Sequence, residues 1–289
     1  MVVLDVDLAA AVEAALGSAV GAASRVHGGD VAIAFAVDLA DRRRVFVKTH
    51  LRPPAEFFTT EATGLAWLGA AEALDVPRVL AVSDAPPAFL ALEWVERGLP
   101  ASSTEADLGL RLADLHRAGA PCFGREDRRS TGSRALPNPP TDTWVEFYAS
   151  NRLLPLATLA ADGGALPPTS IERLEALAGR LDVVGGPPEP PARLHGDLWH
   201  GNRLVGPGGR SWLIDPAAHG GHREFDLAMM RLFGGFGDDC FAAYAEAFPL
   251  TDGWQERVAL HQIAPLVVHA IKFGGGYVDA AAAAIDRYI

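Results

Sequence analysis

His195-Gly196-Asp197-Leu198-Trp199-His200-Gly201-Asn202, followed by Arg210-Ser211-Trp212-Leu213-Ile214-Asp215-Pro216, is the stretch on which the reading of this chain turns. Gly196 and Gly201 keep the first segment out of regular helix, and Asp197 and Asn202 stand five residues apart within it. Arg210 to Ile214 predicts a short apolar strand that ends in Asp215, and a carboxylate at a strand end points its oxygens into whatever crevice lies beyond. Transfer of a phosphoryl group to a hydroxyl needs such a set. Asp197 suits the carboxylate that orients the hydroxyl and accepts its proton. Asn202 and Asp215 suit the hard oxygen ligands of Mg²⁺. Taken singly, each residue has an ordinary alternative: a turn cap, a local Asx bond, the close of a strand. The ordered set is what carries the reading.

A partner cation is expected nearer the N-terminus. Val31–Asp38 and Arg44–His50 read as two strands joined by Ala40-Asp41-Arg42-Arg43, a β-hairpin. Val45 and Val47 alternate onto one face, which sends Lys48 to the other. A lysine on an otherwise apolar strand calls for a counter-charge or a phosphate. Glu61, thirteen residues on and early in the helix predicted over Glu56–Leu74, supplies the partner. Gly28-Gly29 precede the first strand and would let backbone N–H groups approach phosphates, although the spacing G-x-G-x-x-G is missing. Leu92-Glu93-Trp94-Val95 closes the strand-rich part, either as a plain linker or as a hinge that bonds adenine through backbone groups of Glu93 and Val95.

Further elements follow from periodicity and punctuation. A helix over about 7–16 opens the chain, and strands are predicted at Pro77–Val82 and Phe89–Val95. Helices are predicted over Asp107–Ala118, Thr141–Leu159, Ser170–Leu181, Glu224–Phe233, Asp238–Phe248 and Gln255–Phe273, interrupted by a β-containing island from Leu194 to Asp215. The composition shift near Val95–Pro100 divides the chain into 1–95, strand-rich around one helix, and 96–289, mostly helical. The fold class expected is α+β with two lobes.

Bulk properties narrow the function classes. The formal net charge is −11, which argues against nucleic acid or an anionic membrane as a partner. Cys122 and Cys240 share no metal-type spacing, so a disulfide framework is not expected and a reducing compartment fits. Met1 to Ala15 carries Asp5, Asp7 and Glu13 and lacks the basic start and unbroken apolar run of a signal peptide. No apolar stretch reaches the roughly 18 residues of a membrane span. The expected location is cytoplasmic. His195, His200, His219 and His222 raise a zinc-hydrolase alternative, but their spacings fit no familiar zinc motif and leave Lys48 and Glu61 without a role.

Leu194-His195-Gly196-Asp197-Leu198-Trp199-x-Gly201-Asn202 resembles the signature of the fructosamine kinase family, within the wider aminoglycoside-phosphotransferase and choline-kinase group. Ile214-Asp215-Pro216-Ala217, Gly220-Gly221-His222-Arg223-Glu224-x-Asp226, Leu232-Phe233-Gly234-Gly235-Phe236, Val45-Phe46-Val47-Lys48 and Trp144-x-x-Phe147-Tyr148 continue the similarity. The resemblance implies a bilobal protein-kinase-like fold, with a nucleotide-binding lobe over 1–95 and a catalytic and acceptor-binding lobe over 96–289. It also implies ATP and Mg²⁺ as cofactors, and phosphorylation of the 3-hydroxyl of a ketoamine (a fructosamine, ribulosamine or erythrulosamine), small or protein-bound. The product sheds its sugar, which amounts to deglycation. In that frame Asp197 is the base, Asn202 and Asp215 hold the metal, and Lys48 with Glu61 anchors the phosphates. Two alternatives keep the same chemistry or part of it: a kinase for aminoglycosides or another small hydroxylated metabolite, and a nucleotide-binding pseudokinase. Gly196 stands where protein kinases carry Arg, and Asp215-Pro216-Ala217 stands for Asp-Phe-Gly with no long activation segment before Gly220, which implies constitutive activity. Leu136-Pro137-Asn138-Pro139-Pro140 departs from the family's Leu-Pro-Gln-x-Asn, so acceptor contacts are expected to differ there.

Overall fold

A computed structural model describes residues 4–26, 32–127, 130–131 and 136–289. The chain forms two compact units, Met1–Thr104 with Gly201–Ala217 and Glu105–His200 with Ala218–Ile289. The island after Gly201 therefore belongs with the strand-rich unit, although 96 residues separate it in sequence from Thr104's end of that unit.

In the first unit, α1 (Val6–Leu16) leads into β1 (Val20–Val26), β2 (Ile33–Leu39) and β3 (Arg44–Thr49). Then come α2 (Phe57–Gly69), β4 (Val79–Ser83) and β5 (Phe89–Glu93). Asp5 caps α1 by accepting the N–H groups of Asp7 and Leu8, and Gly17 ends it in the left-handed conformation, φ 68°. The five strands form one antiparallel sheet in the order β1-β2-β3-β5-β4. Alternation divides its side chains between two faces. Phe35, Val37, Val45, Val47, Phe89 and Ala91 pack with Leu8 and Val12 of α1. Leu90 and Leu92, with Phe46 beside them, pack against Phe58, Ala62 and Leu65 of α2. Lys48, opposite Leu90 in the ladder, therefore shares the α2 face. The hairpin turn closes with Arg42 at φ 72° and a Leu39 N–H to Arg43 carbonyl bond of 2.8 Å.

The second unit starts with α3 (Thr104–Arg117) and contains a two-residue ladder of β6 (Ser130–Thr131) with β7 (Leu136–Pro137). The single helix expected over 141–159 is a continuous run of three parts: α4 (Trp144–Tyr148), a π-helical turn at Ala149–Leu153 and α5 (Leu154–Asp162). Pro155 explains the break. It has no N–H to donate to the Asn151 carbonyl, and Arg152 Nη1 takes that carbonyl instead at 2.8 Å. α6 (Pro168–Ala178) and α7 (Leu181–Val184) follow, then β8 (Ala192–Leu194).

The island holds β9 (Arg203–Val205) paired with β10 (Ser211–Leu213). β11 (His219–Gly221) pairs back onto β8. α8 (Glu224–Phe233), α9 (Asp238–Ala247), α10 (Trp254–Phe273) and α11 (Gly276–Asp286) complete the unit around one apolar core. Among the described residues, no helix is long and apolar enough to cross a membrane.

Strand β1 and helix α11 stand outside the sequence reading. β1 is an edge strand of Val-Gly-Ala-Ala-Ser-Arg-Val in which only Ala23 is buried, so it lacks the alternation that marks β2 and β3. α11 follows Gly274 and Gly275 and buries mainly Ala281, Ala284 and Ile285, a face too small to stand out by hydropathy.

Candidate active site

β3 delivers Lys48 to the α2 face, where the residue is 8% exposed. Its Nζ donates to Glu61 Oε1 at 2.8 Å and to Asp215 Oδ1. One ammonium between two carboxylates is the arrangement that the strand–helix spacing predicted, with Asp215 added from 167 residues away. Burial alone would lower the Lys48 pKa, but the two carboxylates outweigh it and hold it well above the usual lysine range. Glu61 is pushed up to about 7 by burial and by the Asp215 charge, which Lys48 only partly offsets.

Asp215 sits just past β10 with φ 54°, a left-handed backbone that non-glycine residues seldom adopt, and Pro216 follows directly. Strain of this sort, about 1–3 kcal/mol, is characteristic of residues held for function. The Ile214 N–H donates to the Asn202 carbonyl at 3.0 Å, which joins the ends of the island. Asn202, 6% exposed, turns its Nδ2 toward the Asp215 carbonyl at 3.5 Å. Of the two ends of the amide, only the oxygen Oδ1 is a donor atom a cation can use. A carboxylate and an amide oxygen are hard donors, so Asn202 and Asp215 fit Mg²⁺ by donor chemistry.

Asp197 lies in the second unit, and the loop leading to it is held by Asp226. Oδ2 of Asp226 accepts the His195 N–H at 2.8 Å and Oδ1 accepts the Gly196 N–H at 2.9 Å. Gly196 has φ 79°, which glycine permits at no steric cost. His116 Nε2 meets Asp226 Oδ2 at 3.3 Å, and His116 Nδ1 meets the Tyr244 hydroxyl at 2.8 Å. Asp226 is fully buried. Burial would raise its pKa, but His116 and the loop N–H groups keep it below the usual carboxylate range. No local pattern in α3 signals a partner on α8, so the contact of His116 with Asp226 is seen only in the folded chain.

The remaining expected site residues divide. The Glu93 N–H already donates to the Arg78 carbonyl at 3.0 Å and its carboxylate takes Arg78 Nε at 2.6 Å. Any adenine contact at Glu93 would therefore use its carbonyl oxygen. Val95 lies just beyond β5, partly buried. Gly28 and Gly29 lie outside the described residues. Asn138 is fully buried and accepts from Arg152 Nη2 at 3.2 Å, so its side chain is engaged in the interior of the second unit.

His195, His200, His219 and His222 do not converge. Among the described residues, the group with metal-like spacing is His222, Glu224 and His261. There Arg257 already grips Glu224 with Nη2 at 2.6 Å and Nε at 3.0 Å, placing a guanidinium where a cation would have to sit.

The fructosamine kinase family model matches residues 6–289. A relative from Synechocystis sp., named as a probable ketoamine kinase, is 35% identical over 240 residues, covering 81% of this chain and 79% of the relative. A crystal structure of a protein from Thermobifida fusca YX-ER1, named as a putative fructosamine-3-kinase, shares 40% identity and a TM-score of 0.89 over 97% of this chain and 98% of that one. A thermostable mutant of an aminoglycoside phosphotransferase superposes with a TM-score of 0.61 at 16% identity, over 96% of each chain, which speaks for the fold alone. The α+β, protein-kinase-like architecture expected from the sequence is thereby borne out. With the match extending over nearly its whole length, the chain belongs to the fructosamine kinase family and is a kinase of that family.

Proposed function

We propose that the protein transfers the terminal phosphoryl group of ATP, in the presence of Mg²⁺, to the 3-hydroxyl of a ketoamine, whose phosphorylated product then releases its sugar. The observation that carries this reading is the joint hold of Glu61 and Asp215 on Lys48. Lys48 offers an ammonium to the α- and β-phosphates, and Glu61 keeps that ammonium charged and aimed. Asn202 and Asp215 would hold Mg²⁺, which when bound neutralises charge on the phosphate oxygens. Asp197 orients the acceptor hydroxyl and takes its proton, on a loop whose backbone Asp226 fixes.

Residues 1–95 serve as the nucleotide lobe and 96–289, apart from the island of 201–217 that belongs to the first unit, as the catalytic and acceptor lobe, with the Glu93–Val95 backbone and Gly28-Gly29 as further nucleotide contacts. The setting proposed is cytoplasmic, where ATP and Mg²⁺ are abundant, and neither nucleic acid nor membrane is a partner. ADP release measured on a panel of ribulosamine, erythrulosamine, fructosamine and aminoglycoside acceptors, with product regiochemistry by NMR, tests the reading. Phosphate on the 3-hydroxyl of a ketoamine is the expected result. Turnover confined to aminoglycosides, or tight ATP binding with no product, would replace it.

A further inference from the structure

Arg152 is a cation in the interior of the second unit, 3% exposed, on the π turn at Ala149–Leu153. Hydrogen-bond spacing of i to i+5 in such a turn carries it over the ring of Phe147, five residues earlier, at 4.5 Å. Its Nη1 donates to the carbonyls of Pro137 at 2.6 Å and Asn151 at 2.8 Å, and Nη2 donates to Asn138 Oδ1 at 3.2 Å. All three acceptors are neutral. Among the described residues no carboxylate opposes the effect of burial, which pushes the guanidinium down to about 9 and still leaves it charged at pH 7.

Donors are in surplus around it. A guanidinium has five N–H groups, and the bonds above use three of them. Asn138, 0% exposed, adds Nδ2, a buried donor with no partner among the described residues. Arg152 also lines a cavity of about 10 Å³, walled by Trp144, Phe147, Tyr148, His222 and Phe225. That volume takes one water-sized guest and is too small for a carboxylate, sulfate or phosphate. In the wall, the Tyr148 hydroxyl is committed to the Leu260 carbonyl at 2.8 Å, and His222, held down to about 4 by burial, is neutral at pH 7. Glu224 and Glu189, the carboxylates that act on His222, are gripped by Arg257 at 2.6 Å and Arg223 at 2.8 Å.

Such a set calls for an acceptor that carries negative charge. A water would bring two further O–H donors to a place already rich in N–H groups, whereas a halide ion only accepts. It also supplies the charge that a buried cation needs before its desolvation is offset. Aromatic edges, the positive end of the ring quadrupole, suit an anion too.

We propose that the cavity beside Arg152 binds one monatomic anion, chloride in ordinary solution, as counter-ion to the guanidinium, and that this ion helps to tie the Pro137–Asn138 segment to the π turn. The site is independent of the acceptor chemistry. Its first test is the melting temperature of the full chain in sodium chloride and in sodium gluconate at matched ionic strength. Above its dissociation constant, each tenfold rise in chloride should add about 3 °C, while gluconate, too large for the cavity, adds nothing. Crystals grown in sodium bromide should show an anomalous bromide peak within hydrogen-bond reach of Arg152 Nε or Nη2. Arg152→Met keeps similar bulk without the charge, and its melting temperature should be indifferent to chloride; if it does not fold, the two wild-type measurements decide. Equal melting in the two salts overturns the proposal, as does chloride dependence that persists in folded Arg152→Met. A cavity peak without anomalous signal, or no peak at all, does the same.

Discussion

Asp197, Lys48 and Glu61 carry the residue-scale predictions. Asp197→Asn should lower kcat by about 10²–10⁴ while nucleotide affinity, read by fluorescence or calorimetry, stays close to wild type; full turnover in that variant removes the base assignment. Glu61 titrates near 7, so below that pH it takes up a proton and Lys48 keeps only Asp215 as partner. Nucleotide kcat/KM should therefore rise with pH through about 7, and Glu61→Gln should be less active and lose that limb. The sign for stability is opposite. Between the ordinary value of 4.5 and about 7 the folded state holds a proton that the unfolded chain releases, so this group's contribution to stability falls as pH rises across that window. Urea titrations of wild type and Glu61→Gln at pH 5 and pH 8 measure it. The Lys48–Glu61 pair was legible because alternation on β3 and the first turns of the following helix are both local patterns. The exclusion of the Glu93 N–H from nucleotide binding was not, since its partner, the Arg78 carbonyl, is set by the β4–β5 register.

At the scale of elements, α8 matters more than its length suggests. Its buried face carries Asp226, which joins the loop leading to Asp197 to α3 through His116. Asp226→Asn keeps the shape but puts an NH₂ group where an N–H or His116 must be met. We expect a loss of about 1–3 kcal/mol in chemical denaturation together with a fall in kcat, and His116→Leu should share part of both effects. Equal stability and equal kcat in Asp226→Asn would show that the loop is held by something else. Elements with strong periodicity were placed within a few residues of their observed ends, α8 at its observed bounds of Glu224–Phe233. The π turn at Ala149–Leu153 was missed because a helical pattern over 141–159 does not say how Arg152 and the chain around Pro155 share their carbonyls.

At the scale of the whole molecule, the segment after Asp215 is short and committed. Only Pro216, Ala217 and Ala218 precede β11, whose His219 pairs with Leu194 on β8, and no room is left for a loop that phosphorylation could reorder. Protein shown by mass spectrometry to carry no phosphate should be fully active, and phosphatase treatment should change nothing; a phosphorylation-dependent rise in kcat contradicts this. Much of the molecule could be read in one dimension. The order Asp197, Asn202, Asp215, the alternation that turns Lys48 away from Val45 and Val47, and the family itself are properties of residue type and spacing, which the chain carries before it folds. Other features came from folding alone: the packing of 201–217 with the first unit, the second carboxylate on Lys48, the left-handed backbone of Asp215 and the grip of His116 and Asp226 on the loop leading to Asp197. Each depends on partners far apart in sequence or on a strained dihedral that the surrounding packing must enforce, and no local pattern encodes either.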